Sequence, residues 1–382
     1  MVNADLSTVM QSWRKELHRF PELGYQEFTT AEFLQARLSE FGLEFFSGIA
    51  GTGIVARLAG QGLSPAIGLR ADMDALPIQE HTGLDYASTN TGVMHACGHD
   101  GHMAMLLGAA LEISRMPRPP GDVYFIFQPA EEIGAGARRM IEDGLFKIAP
   151  VEKIFGLHNW PDLPQGLFSV CNGAQMASVD YFDVTISGKG CHAAMPHSGN
   201  DSLLAASQIH QMLQSIASRN LDPLESGVVS VTQIHGGEAY NVLPETTVMR
   251  GCTRSLAVAV GRKIEARMAE ICVGVAGSLG VTVQLDYRHG YPVLVNTNAE
   301  VTVAKSAAAA SFGGSMIDLA PSPSMASEDF AFMLNECPGA YAFLGAGDDT
   351  NSRLHSPAYR FNDSILPLGA DWWVTLAHQN RG

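Results

Sequence analysis

The chain has 382 residues, 46% of them hydrophobic, and a formal net charge of −15. That length exceeds one comfortable core and predicts two domains, each with a real interior, while the composition argues against disorder. The acidic balance, with no block of basic residues to offset it, argues against nucleic acid and anionic membranes as partners. Residues 1–13 carry no basic stretch followed by an apolar one, and no window of about 18 residues is uninterruptedly apolar. Cys97, Cys171, Cys191, Cys252, Cys272 and Cys337 are scattered without a C-x-x-C pair. The expected protein is soluble and sits in a reducing cytoplasm.

In chain order, Thr29-Thr30-Ala31-Glu32 predicts a capping box, and Gly42 closes the helix it starts. Apolar runs at 54–58, 66–69, 123–127 and 154–157 predict short buried strands; 103–113 and 137–141 predict helical stretches. The alternation implies an α/β sheet with helices on both faces. Chemical groups follow these strands: Asp72 and Asp74 the second, Glu131 and Glu132 the third, His158 the fourth. Ligands of open α/β sheets bind beyond the carboxyl ends of strands, so the placement suits a site. From about Val179 the pattern becomes β-α-β-β-α-β: alternation at Phe182, Val184 and Ile186, a helix over 202–217 behind Asn200-Asp201, strands over 228–234 and 246–252, a helix over 258–278 stopped by Gly280, and a strand over 281–287. This predicts an α+β, ferredoxin-like insert over 179–292. The larger domain then consists of 1–178 and 293–382, with helices over 299–311, 327–334 and 370–378 and a strand over 340–344.

Cys97-Gly98-His99-Asp100-Gly101-His102, Glu131-Glu132 and His158 combine a thiolate, imidazoles and paired carboxylates. That is the donor inventory of a hydrolytic metal site, and its mixture of sulfur, nitrogen and oxygen suits Zn, Mn, Co or Ni better than Mg or Ca. Each part also has a plain reading. A lone cysteine is commonly buried and inert, and adjacent carboxylates in a loop are commonly solvated. His102 and His95 fit a helix end or the support of a ligand better than ligation. Asp72-Met73-Asp74 reads equally as a carboxylate behind a ligating histidine and as a salt bridge to Arg70. His158 and His355 carry weight only within the set. In Glu131-Glu132 one carboxylate can ligate while the other acts as general base, and the doublet alone does not say which. G-x-S-x-G, G-K-[ST] and H-E-x-x-H are absent from the sequence.

His18-Arg19-Phe20-Pro21-Glu22-Leu23-Gly24, the run from Leu69 to Pro77, His95 to His102, Gln128 to Glu132 and Ser327-Glu328-Asp329-Phe330 together resemble the aminoacylase and carboxypeptidase family of co-catalytic metallohydrolases. They are most similar to its amidohydrolase branch, which includes hippurate hydrolases, N-acyl-amino-acid amidohydrolases and auxin-conjugate hydrolases. The resemblance implies two divalent ions per subunit on Cys97, His99, Glu132, His158 and His355, with Cys97 bridging, and Glu131 as general base. Where the broader family has a histidine ligand this chain has Asp72, and Asp74 corresponds to the aspartate behind it, which assigns Asp74 to the catalytic set. The insert resembles a lid or dimerisation domain, implying a homodimer or homotetramer. Its Gly188 to His197 segment is similar to the motif whose first histidine, here His192, reaches an active site, often the partner subunit's. Asn241 and Arg254 are similar to residues that hold the substrate carboxylate. The implied reaction is hydrolysis of an N-acyl amino acid. A dipeptidase or N-acetyl-diaminopimelate deacetylase uses the same chemistry, and a non-catalytic metal-binding or small-molecule-binding relative is the alternative of another class.

Overall fold

The computed structural model describes residues 4–348 and 353–380. They form two compact units: one from the described residues of 1–175, 295–322 and 329–382, the other from 176–294 and 323–328.

In chain order the first unit opens with α1 (Ala4–Arg19), α2 (Phe28–Glu40), β1 (Glu44–Ile49), β2 (Gly53–Leu58), β3 (Ile67–Asp72), α3 (His99–Arg115), β4 (Val123–Gln128), α4 (Gly136–Glu142), the single turn α5 (Leu145–Ile148), β5 (Lys153–Pro164), β6 (Phe168–Ser169) and β7 (Gly173–Met176). The second contains β8 (Ser178–Ser187), β9 (Cys191–His192), α6 (Ser202–Ser215), β10 (Gly227–Gly236), β11 (Val242–Leu243), β12 (Thr246–Ser255), α7 (Val258–Leu279) and β13 (Thr282–Tyr291). The chain closes with β14 (Leu294–Asn296), α8 (Asn298–Phe312), α9 (Phe330–Glu336), β15 (Gly339–Gly347) and α10 (Leu366–Gln379).

The seven strands of the first unit lie in the order β1-β2-β4-β3-β5-β15-β6. The centre is parallel (β4 with β3, β3 with β5, β5 with β15), and the edges are antiparallel. β3 and β4 are buried at every position, so both sheet faces are covered, as parallel strands require. Ile67, Leu69 and Ala71 join the large apolar core with α1, α3, α8 and α10, whose Trp372 and Trp373 are fully buried. Arg70, between them on the opposite face of β3, lies over the Phe330 ring of α9 at 5.5 Å.

The second unit is an antiparallel sheet in the order β10-β12-β8-β13. Phe182, Val184 and Ile186 of β8 alternate into a core shared with Ala205, Ile209 and Leu213 of α6 and Ile264, Met268 and Ile271 of α7. The Asp201 side chain accepts the Leu204 N–H and caps α6, and Gly280 in the left-handed conformation ends α7. Residues 323–328 join this unit because the Ala177 N–H donates to the carbonyls of Ser324 and Ala326. No helix of the described residues is long and apolar enough to cross a membrane.

Several local expectations are corrected. The predicted capping box does not form: the N–H groups of Thr29 and Thr30 donate to the Glu22 carboxylate (3.1 and 2.8 Å), so a residue upstream of the helix caps its first turn. His158 lies within β5 rather than after a strand, and Arg254 lies within β12. β3 ends at Asp72, so Asp74 is not on a continuing strand. The helix expected over 327–334 is confined to Phe330–Glu336.

Candidate metal centre

Three turns of the first unit carry the candidate donors. Gly98, with φ 95°, caps α3 and places Cys97 just before the helix and His99 as its first residue. A Cβ at Gly98 would stand 2.3 Å from Asn159 Oδ1 and 2.9 Å from Tyr359 Oη, so glycine is required for space as well as conformation. The second turn follows β4. Ala130 is left-handed (φ 51°), and its N–H donates to the buried Glu27 carboxylate at 2.9 Å. The next two N–H groups, of Glu131 and Glu132, donate to Asp74 Oδ1 and Oδ2, each at 3.0 Å. Glu27 and Asp74 thus clamp three successive amides and fix where the two glutamates stand. The third turn holds His355, also left-handed at φ 61°, its N–H bonded to the Ala96 carbonyl at 2.8 Å. A β-carbon residue held at positive φ is a strained backbone of the kind that clusters at functional sites.

These turns bring together overlapping groups of donors whose atoms lie within 4.8 Å of one another: Cys97 with His99 and His158, Cys97 with Glu132 and His355, and His99 with Glu131 and Glu132. His158 Nδ1 donates to the Asn159 carbonyl (2.6 Å), which leaves the lone pair of the neutral ring on Nε2, 3.4 Å from Cys97 Sγ. Burial, and then the charge of His102, hold the His158 pKa well below the usual imidazole value, keeping it in the ligating form. His99 is wholly buried and neither ring nitrogen makes a hydrogen bond. Asp74 Oδ1 lies 3.5 Å from its Nδ1, and Asp72 Oδ2 and Glu132 Oε1 each lie 3.8 Å from its Nε2. Burial opposes a charge on this ring, yet the carboxylates of Asp72, Asp74 and Glu132 push it up to about 10. Glu132 Oε1 is also buried without a hydrogen bond, 3.5 Å from Nε2 of the half-exposed His355. Burial and the neighbouring carboxylates raise the Cys97 thiol well above its ordinary value.

The site therefore crowds the carboxylates of Asp72, Asp74 and Glu132 around one buried imidazole and leaves both His99 nitrogens and Glu132 Oε1 without a hydrogen bond. Unpaired buried polar atoms cost about 1–3 kcal/mol each. A divalent cation satisfies both deficits, and the S, N and O donor set fits the borderline metals.

Asp72 and His102 stand behind these donors. His102 Nδ1 donates to Asp72 Oδ1 at 2.6 Å, and its Nε2 meets both Asn159 Oδ1 (2.6 Å) and the Asn159 N–H (3.1 Å), so both ring nitrogens are engaged. Asp72 Oδ2 accepts from Arg70 at 2.8 Å. The salt bridge to Arg70 is thus present, and the histidine that Asp72 holds is His102. Arg70 continues to Gln128 and Asp329, and Asp329 accepts the Ala137 N–H beyond the Glu131 turn. A second buried network lies under α3: Asp100 accepts from Arg14 and His18, and His18 also meets Glu80. Burial opposes a charge on His18, but Asp100 and Glu80 outweigh it and hold the ring at about 9. His95 is buried with both nitrogens unpaired, and burial lowers it to about 4.

His192, Asn241 and Arg254 lie in the second unit. His192 of β9 pairs with Val242 of β11, and its Nδ1 accepts the Ala194 N–H (3.0 Å), so the neutral ring carries its proton on the exposed Nε2. The Asn241 carbonyl accepts the Ala193 N–H at 2.9 Å, tying the two segments together. Arg254 Nη1 donates to the Met325 carbonyl at 2.9 Å.

Glu27, Asn159 and Tyr359 are absent from the sequence-based site. Glu27 is a lone carboxylate whose partners lie 25 residues or more away, and Asn159 has no signal beyond following His158.

Residues 68–379 match the peptidase family M20/M25/M40. The chain is 40% identical over 354 residues to an N-acetyl-L-cysteine deacetylase of Bacillus subtilis, covering 92% of this chain and 83% of the relative. It is 39% identical over 373 residues to a hippurate hydrolase of Campylobacter jejuni, covering 98% and 97%. A solved Bacillus subtilis structure, described as a dinuclear metal-binding peptidase of the M20 family, superposes with a TM-score of 0.87 at 34% identity and 98% coverage of both chains. With a family match across most of its length and relatives of this identity and coverage, the chain belongs to the peptidase family M20/M25/M40.

Proposed function

We propose that this protein hydrolyses the amide bond of N-acyl amino acids, releasing a carboxylic acid and a free amino acid, at a centre of two divalent ions held by Cys97, His99, Glu132, His158 and His355. The observation that carries this reading is that the His99 nitrogens and Glu132 Oε1 are buried without a hydrogen bond, beside the Cys97 sulfur and the His158 Nε2 that faces it. Relatives named N-acetyl-L-cysteine deacetylase and hippurate hydrolase support the substrate class. Bound Mn, Zn, Co or Ni supplies Lewis acidity that polarises the acyl carbonyl and makes water a nucleophile near neutral pH.

Glu131 takes the proton of the attacking water and returns it to the leaving amine, so the C–N bond breaks with the amine neutral. Asp74 keeps that carboxylate in place by holding its backbone and the next, and this is the catalytic part we give it. A metal-binding relative without catalysis has no use for a base beside its ligand. His192 presents Nε2–H as a donor suited to a developing oxyanion, and Asn241 and Arg254 are groups for the substrate carboxylate. We carry the second unit as the lid or dimerisation domain of a homodimer or homotetramer, to be checked by sedimentation. The six free cysteines support a cytoplasmic setting.

The test compares N-acyl amino acids with their C-terminal amides and with dipeptides, using metal-loaded protein. The acids should be cleaved at least about tenfold better than the amides, because a planar guanidinium matches a carboxylate. Arg254→Lys should narrow that gap. Preference for dipeptides would move the assignment to a dipeptidase. Equal losses on acid and amide would show that Arg254 serves the 323–328 segment through Met325 and does not read the carboxylate.

A further inference from the structure

An aromatic column stands beside His158. Phe330, Tyr341 and Phe343 are essentially sealed from solvent, with Phe330 and Tyr341 rings 5.4 Å apart and Tyr341 edge-on to Phe343 at 6.3 Å. Trp160 ends the column, stacked on Phe343 with centroids 4.0 Å apart and planes 19° apart. Unlike the other three it is only partly buried. Trp160 stands two residues beyond His158 on β5, so the side chains share a face, and its ring meets the His158 imidazole edge-on at 6.0 Å. Stacking on a buried phenylalanine fixes the indole, leaving a rigid, partly open aromatic surface next to a metal-donor histidine.

Resting on the proposed hydrolase reading, we infer that Trp160 is the wall of the acyl subsite and gives the enzyme a preference for N-acyl amino acids whose acyl group carries an aromatic ring. Of the two substituents of the scissile carbonyl, the amine side bears a charged carboxylate, which an indole face cannot solvate. The acyl side bears no charge. An aryl acyl group placed there gains an offset or edge-to-face contact that a methyl group lacks, equivalent to about 2- to 10-fold in affinity, with ring burial added.

The experiment measures kcat/KM for N-benzoylglycine and N-acetylglycine in metal-loaded wild type, Trp160→Phe, Trp160→Leu and Trp160→Ala, with melting temperature and metal content recorded for each. Benzoate binding is measured by calorimetry on the same proteins. The benzoyl-to-acetyl ratio should fall about tenfold in Trp160→Leu and Trp160→Ala and stay within about threefold in Trp160→Phe, with benzoate affinity falling in step. Trp160→Leu keeps apolar volume without the ring, so it decides the matter if Trp160→Ala does not fold. An unchanged ratio in folded, metal-replete Trp160→Leu overturns the inference. So does a loss that follows the amino-acid side chain, as between N-acetylphenylalanine and N-acetylalanine. If wild type cleaves neither substrate the hydrolase reading fails on its own, and calorimetry still decides Trp160: benzoate affinity that does not depend on the ring overturns it.

Discussion

Glu131→Gln should lower kcat by on the order of 10²-fold or more while metal content stays at the wild-type level. The amide keeps the volume and polarity of the side chain but cannot take a proton from water. The turn should hold, because Asp74 grips the backbone N–H groups of both glutamates and not their side chains. Glu132→Gln should behave differently. Its Oε1 lies between Nε2 of His99 and Nε2 of His355, at 3.8 and 3.5 Å, so losing the carboxylate charge should weaken metal binding first and activity as a consequence. Elemental analysis and turnover on the same preparations separate the two, and the reverse pattern would exchange the roles within the doublet.

Gly98→Ala should remove metal and lower the melting temperature by roughly 5–10 °C. A Cβ there collides with Asn159 Oδ1 and Tyr359 Oη, and neither can retreat: Asn159 is bonded to His102 and Tyr359, and Tyr359 is buried. Left-handed strain of about 1–3 kcal/mol adds to the overlap. The relief available is a shift of the α3 N-terminus, which carries His99, away from Cys97. Gly83→Ala is the control for conformation alone, since its φ is 68° but nothing lies within 4 Å of its Cβ. Wild-type stability and metal content in Gly98→Ala would show that this turn does not set the site.

Much of this architecture was legible because its determinants are local. Alternation at Phe182, Val184 and Ile186, the helix start at Asp201 and the helix stop at Gly280 mark the insert's pattern from sequence alone. What escaped depends on distant partners. Thr29 and Thr30 read as a capping box, but the Glu22 carboxylate reaches their amides first. β5 reads as a strand over 154–157 because its apolar run ends there, whereas pairing with β15 carries the strand through to Pro164. No element was predicted over 44–49, where Gly48 and a register shift interrupt the alternation of β1. At the site, the donor types were readable in Cys97, His99 and the glutamate doublet. The clamps were not: Glu27 and Asp74 act on amides more than fifty residues away, and such pairings follow from the sheet order.

We propose that the buried donors of this site hold two ions and make the protein a hydrolase. This is tested most directly by stripping the protein with chelator, adding Mn, Co, Zn or Ni stepwise, and measuring bound metal by elemental analysis alongside hydrolysis of an N-acyl amino acid. Stripped protein should show no turnover, and recovery should reach its plateau at two ions per chain. Full activity with no detectable bound metal would contradict the proposal.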